Sequence, residues 1–152
     1  MHIPDGFIGA GTSLAAGAAA IGGLGVASRR AARALGDEGV PLAGLVAAFV
    51  FAAQMLNFPV AGGTSGHLIG GALAAILVGP WVGAICLAVV LLVQALFADG
   101  GLTALGLNVV NLAILGTIGG FGLFRLARRL LPRDRSGVLA ATAVASLGSV
   151  LL

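Results

Sequence analysis

The chain is short of charge. Only 9% of its 152 residues are Asp, Glu, Lys or Arg, where a soluble domain carries about a quarter. With 59% of residues apolar and a mean hydropathy of +1.14, too little polar surface remains to cover a water-facing globule. A soluble enzyme is excluded, and a membrane-embedded helical protein is expected. Lysine is absent: all eight basic residues are arginines, clustered at the ends of apolar segments. That placement serves membrane topology and not nucleic-acid binding. The single cysteine, Cys86, lies in an apolar run, can form no internal disulfide, and reads as a small buried hydrophobe. No nucleotide motif, nucleophile–base pair or carboxylate pair lies within an apolar segment, so the chain is expected not to be an enzyme. Glycine, by contrast, is abundant at 26 residues without a collagen-like period, as suits membrane helices that pack backbone to backbone.

Phe7 to Ser28 is uncharged and would make roughly 33 Å of helix, enough to span a bilayer. Arg29, Arg30 and Arg33 follow, then a loop with Asp37, Glu38, Gly39 and Pro41. Residues 41–58 form a second span, followed by the Gly-rich turn Pro59–Gly66. Residues 67–79 are a short apolar stretch closed by Gly79-Pro80, a helix breaker. Residues 80–98 and 102–124 are further spans, separated by Asp99-Gly100-Gly101. Arg125, Arg128, Arg129, Arg133 and Arg135 come next, and residues 137–152 make a short last span. Read as one helix, 67–98 would be about 48 Å long, too long for the hydrocarbon core. It would also put the two arginine clusters on opposite sides. A break at Gly79-Pro80 puts all eight on one face, as the positive-inside rule expects. The reading is an all-α, polytopic transmembrane bundle of about six helices. It makes one membrane-embedded domain over 1–152, with its N-terminus outside and its last helix incomplete. The first helix has no basic region before it and is not expected to be a cleaved signal, so Met1 and His2 should remain in the mature protein.

On this topology both histidines, His2 and His67, lie at the external face with Asp5 and Asp99. Plainer readings exist for each: His67 as a helix-start residue bonding within its loop, His2 as a disordered terminal residue. Position 2 carries a more specific chemistry. The α-amine of Met1 and the amide nitrogen of His2 can close a five-membered chelate on a metal, and that amide with Nδ1 of His2 a six-membered one. The imidazole of His67 could add a fourth nitrogen. Four nitrogens in a plane favour Ni(II) or Cu(II) over Zn(II). Gln54, Asn57, Gln94, Asn108 and Asn111 are polar residues at membrane depth, whose common use is hydrogen bonding between helices. Groups that orient the ligands would come from Asp5, Asn57, Thr64, Ser65, Gln94, Asp99, Asn108 and Asn111. The Gly62-Gly63-Thr64-Ser65-Gly66 turn only superficially resembles a phosphate loop, since it has no lysine.

Three stretches carry a family resemblance: Met1-His-Ile-Pro-Asp-Gly-Phe7, the run Phe51 to Gly71 containing Asn-Phe-Pro-Val-Ala-Gly-Gly-Thr-Ser-Gly-His, and Leu96-Phe-Ala-Asp-Gly-Gly101. The chain resembles the cobalt/nickel substrate-capture components of energy-coupling-factor (ECF) transporters, the CbiM/NikM family, along nearly its whole length. The resemblance implies metal ligation by the terminal amine of Met1, by backbone and side chain of His2, and by His67. It implies one extra N-terminal helix ahead of a six-helix capture core. The cargo would be Ni(II) or Co(II), with no prosthetic cofactor. Its implied partners are two ATPase subunits, a transmembrane coupling subunit and sometimes a small accessory membrane subunit, in a prokaryotic cell (inner) membrane. Family members usually continue beyond the sixth apolar segment, where this chain stops.

Two other functions stay open at this stage. A self-contained metal permease or channel would carry ionisable residues at mid-membrane, and here every Asp, Glu and Arg lies at a segment end. A structural membrane subunit with incidental histidines would bind no metal. Ala43, Ala47, Ala48, Ala52 and Ala53 on the second span offer a small-residue face, either for the coupling subunit or for packing within the bundle.

Overall fold

The computed structural model describes residues 2–37, 39–63 and 65–151; Met1, Glu38, Thr64 and Leu152 lie outside the described residues. Six helices carry the described residues. They are α1 Ala10–Ala34, α2 Gly39–Gln54, α3 Gly71–Val78 and α4 Pro80–Leu96, then α5 Leu105–Leu130 and α6 Arg135–Gly148. A two-residue hairpin pairs β1 Phe58–Pro59 antiparallel with β2 Ser65–Gly66.

The helix ends depart from the limits of the apolar runs, each for a local reason. At the start, Gly6 adopts φ +84°, and α1 begins at Ala10 instead of Phe7. Its far end passes Ser28 and carries Arg29, Arg30 and Arg33 on to Ala34, because arginine is a good helix former. α5 likewise runs past Phe124 through Arg125, Arg128 and Arg129. The chain reverses at Gly79, at φ 85°, ψ 156°, and Pro80 opens α4 at the position where its missing N–H costs nothing. α6 starts at Arg135, capped by Asp134, whose carboxylate accepts the Gly137 N–H at 2.8 Å. Within α5, Val109–Leu115 is wound as a π-helix.

The bundle is small inside and large outside. Its core joins Val46, Val50, Leu87, Val90 and Leu91 to Ala20, Ala74 and Ala113. Close approaches need glycine: a methyl at Gly71 would lie 2.8 Å from the carbonyl carbon of Gly116, and one at Gly120 2.9 Å from the Ala72 Cβ. α3 and α5 therefore touch backbone to backbone. Leu14, Ile21, Leu45, Phe49, Leu92, Leu126 and Leu147 face outward. Only 17% of the most apolar stretch of α1 is buried, unlike the core helix of a water-soluble protein. α1 and α5 are long and apolar enough to cross a membrane, while α2 and α4 are shorter apolar helices. Of the alanine face on α2, Ala43 and Ala47 pack against the bundle's own clusters, whereas Ala48 and Ala52 are exposed.

The two ends of the bundle differ in chemistry. α1 and α5 run parallel, Gly17 against Gly106 and Gly23 against Ile114, so both arginine clusters finish at one end. There Arg30 lies over the Trp81 ring at 4.3 Å, beside a cluster of Ala31, Val82 and Cys86. His2, His67, Asp99 and Asn108 collect at the other end.

Candidate metal centre

Residues ahead of α1 form a strap laid across the loop that joins α4 to α5. Asn108, near the start of α5, holds it at Ile3: its Oδ1 accepts the Ile3 N–H at 2.9 Å, and its Nδ2 donates to the Ile3 carbonyl at 3.1 Å. The same carbonyl accepts the Gly101 N–H at 2.9 Å. Two residues on, the Asp5 carboxylate accepts from the backbone N–H and the hydroxyl of Thr103, at 2.8 and 2.5 Å. These bonds hold the Asp5 carboxyl below the usual carboxylate range. The strap lies so close that a Cβ on Gly101 would reach 2.6 Å from the Pro4 carbonyl carbon.

Pinned in this way, His2 is turned inward and only 9% exposed. Its Nδ1 is 3.1 Å from the Asp99 carbonyl and 3.5 Å from the Asp99 carboxylate. A carbonyl can only accept, so Nδ1 carries the proton in this arrangement. Nε2 is buried and has no hydrogen-bond partner among the described residues. Burial pushes the His2 pKa below its ordinary value; the nearby Asp99 charge opposes that effect and His67 adds to it.

His67 follows the β1–β2 hairpin, half-buried, with its ring centroid 5.5 Å from that of His2. Its Nδ1 meets the Leu68 carbonyl at 2.8 Å, so Nδ1 is the donor and Nε2 holds the free lone pair. That separation lies within the span that one ion bridges with metal–nitrogen bonds of about 2.0–2.1 Å. Chelation by the His2 amide and Nδ1 would require the ring to release the Asp99 carbonyl and lose the Nδ1 proton. Among the described residues no group of three or more His, Cys, Asp and Glu side chains could hold a metal.

The other polar candidates separate. Asp99 touches His2, while Asn108 and Asp5 hold the strap and, among the described residues, are hydrogen-bonded to its backbone and to Thr103 and not to either ring. Gln94 donates to Gln54 at 2.9 Å, and Gln54 to the Ile69 carbonyl at 2.6 Å. Asn57 is exposed. Asn111 is also exposed, on the π-helical part of α5, where its backbone carbonyl accepts the Gly116 N–H. Met1 and Thr64 lie outside the described residues, and Ser65 contributes its backbone to the hairpin with Pro59. Sequence reasoning did not anticipate that the C-terminal part of α6 approaches the site. Ser146, Leu147, Ser149 and Val150 share a cavity of about 300 Å³ with His67, Ile69 and Leu73.

Comparison with known proteins bears on what this end of the bundle does. A family model described as "Cobalt uptake substrate-specific transmembrane region" matches residues 2–152. A putative metal transport protein of Haloquadratum walsbyi is 44% identical over 100% of this chain and 70% of its own length. A putative fused nickel transport protein of Archaeoglobus fulgidus is 49% identical over 85% of this chain and 43% of its own. A crystal structure described as a transition metal transporter superposes with a TM-score of 0.88 at 36% identity, covering 99% of this chain and 65% of that one. The chain thus spans under half of the fused relative and about two-thirds of the solved one.

Proposed function

From the premise that this chain belongs to the cobalt-uptake substrate-specific transmembrane family, we propose that it captures Ni(II) or Co(II) at the His2–His67 end of the bundle. That end faces outward, the arginine-bearing end faces the cytoplasm, and the bundle sits multi-pass in a prokaryotic cell membrane. The positive-inside rule supports this orientation. Ligands are the Met1 α-amine, the amide nitrogen and imidazole of His2, and the imidazole of His67. Nitrogen donors suit these ions, whereas Mg²⁺ and Ca²⁺ take oxygen. Planar four-nitrogen ligation favours nickel over cobalt in the Irving–Williams order. The chain delivers the ion to an ECF-type complex, in which ATPase subunits and a transmembrane coupling subunit supply the energy. Consistent with that division, the buried polar side chains among the described residues are His2, Gln54, Gln94, Asn108, Thr117 and Ser149, none of them an Asp, Glu or Arg to line a charged path.

One observation carries the reading: the strap holds His2 buried near the start of the chain, with its ring centroid 5.5 Å from that of a second imidazole, His67. Equilibrium dialysis of the purified chain against Ni(II) and Co(II) tests it. The expected result is about one ion per chain, bound much more weakly by His67→Ala. No retained metal would contradict the proposal.

A further inference from the structure

We infer that the buried Gln94–Gln54 pair positions the His67 imidazole, acting through the backbone at Ile69; the inference rests on the metal-capture reading above. Gln94 and Gln54 are 0% and 1% exposed and come from different helices, α4 and the last residue of α2. Their orientations are dictated from one end. The Ile69 carbonyl can only accept, so Gln54 turns its Nε2 to it, at 2.6 Å. Its Oε1 then faces Gln94, which donates through Nε2 at 2.9 Å. Gln94 Oε1 is left buried with no hydrogen-bond partner among the described residues. A buried carboxamide seldom leaves its acceptor unmade. Here the demand for a donor starts at Ile69, two residues from His67, and passes through Gln54.

Neither glutamine is bonded to an imidazole among the described residues. Through the Ile69 carbonyl, two residues from His67, the pair sets where the His67 ring stands beside His2, at a centroid separation of 5.5 Å.

Titration of the full-length chain with Ni(II) tests this in the unaltered protein, Gln54→Leu, Gln94→Leu and the double variant. Affinity and the visible absorption of bound Ni(II) are both read, with His67→Ala as the spectral reference. Each single change is expected to weaken binding about 10-fold or more, the usual scale for residues that orient metal ligands. The spectrum should move toward that of His67→Ala, a shift that a merely structural role would not produce. The double variant should lose no more than the worse single one, because both changes cut the same chain of bonds. Gln94→Met, which keeps the length and removes only the polar group, gives the same outcome if leucine prevents folding. Unchanged affinity and spectrum in the singles, or additive losses in the double, overturns the inference. No binding by the unaltered chain overturns the capture reading and the inference with it.

Discussion

Asn108 grips Ile3 from both sides of its peptide, accepting the N–H at 2.9 Å and donating to the carbonyl at 3.1 Å. The two residues are 105 positions apart. This clamp sets the register of the strap, and with it the depth at which His2 enters the bundle. Asn108→Leu removes both bonds. At about 0.5–1.5 kcal/mol for each, Ni(II) affinity should fall on the order of 5- to 150-fold with helicity unchanged by circular dichroism. Wild-type affinity in this variant would show that the strap is held elsewhere.

The approach of the strap to Gly101 gives a steric test. A Cβ there meets the backbone of Pro4 and Asp5, groups that cannot step aside without moving the strap. Gly101→Ala is expected to weaken metal binding at least about tenfold, as displacement of a positioned ligand does. Gly22→Ala has nothing within 4 Å of the new methyl and should leave binding intact. Equal binding by the two variants would count against a docked strap.

Asp99 meets His2 through its main-chain carbonyl at 3.1 Å, nearer than its carboxylate at 3.5 Å. The carbonyl survives a side-chain change. Asp99→Asn should therefore cost less than about threefold in affinity, while His67→Ala removes one of four donors and should weaken binding strongly. A larger loss from Asp99→Asn would show that the carboxylate itself orients or ligates at the site.

Acid should release the metal, and the order of events follows from burial. The His2 pKa is lowered, chiefly by desolvation, so protons compete at its ring only below the ordinary imidazole value of about 6.5. An unperturbed α-amine, at about 7.7–8.0, is protonated higher, and ligation also displaces an amide proton. Affinity should thus fall steeply from pH 8 to 5.5 with protons released on binding, the upper part of the fall belonging to the amine and amide. In the metal-free protein, the stability His2 lends the docked strap is present above about pH 6.5 and lost as pH drops through its lowered value. Dialysis across this range measures the first effect. A flat profile would point to carboxylate ligands such as Asp5 and Asp99.

Much of the architecture could be read from hydropathy, because apolar length and the Gly79-Pro80 breaker separate the segments without tertiary information. The helix ends could not, since arginines that end an apolar run continue a helix: α1 reaches Ala34 and α5 reaches Leu130. Hydropathy also reports depth and not direction around a helix axis. Asn108 and Asn111 are three residues apart, yet one clamps Ile3 while the other is exposed on the π-helical turn. His2 and His67 stand out in the sequence because chelate chemistry and motif both single them out. Asp5 and Asn108 stand out only as polar candidates for orienting the ligands; that they do so by holding the strap is not legible, because these bonds cross 98 to 105 positions. The approach of Ser146 and Ser149 to the His67 cavity has no local signature at all.

The Met1 amine is the most exacting element of this account, and it is tested without altering any side chain. A short metal-inert extension ahead of Met1, removable by a protease that cuts directly before it, converts the amine into an amide and then restores it. Ni(II) binding by the same preparation before and after cleavage is the measurement, with circular dichroism to show an unchanged fold. The account predicts binding only after cleavage. Equal affinity in the two states would contradict it and leave a site of two ordinary histidines.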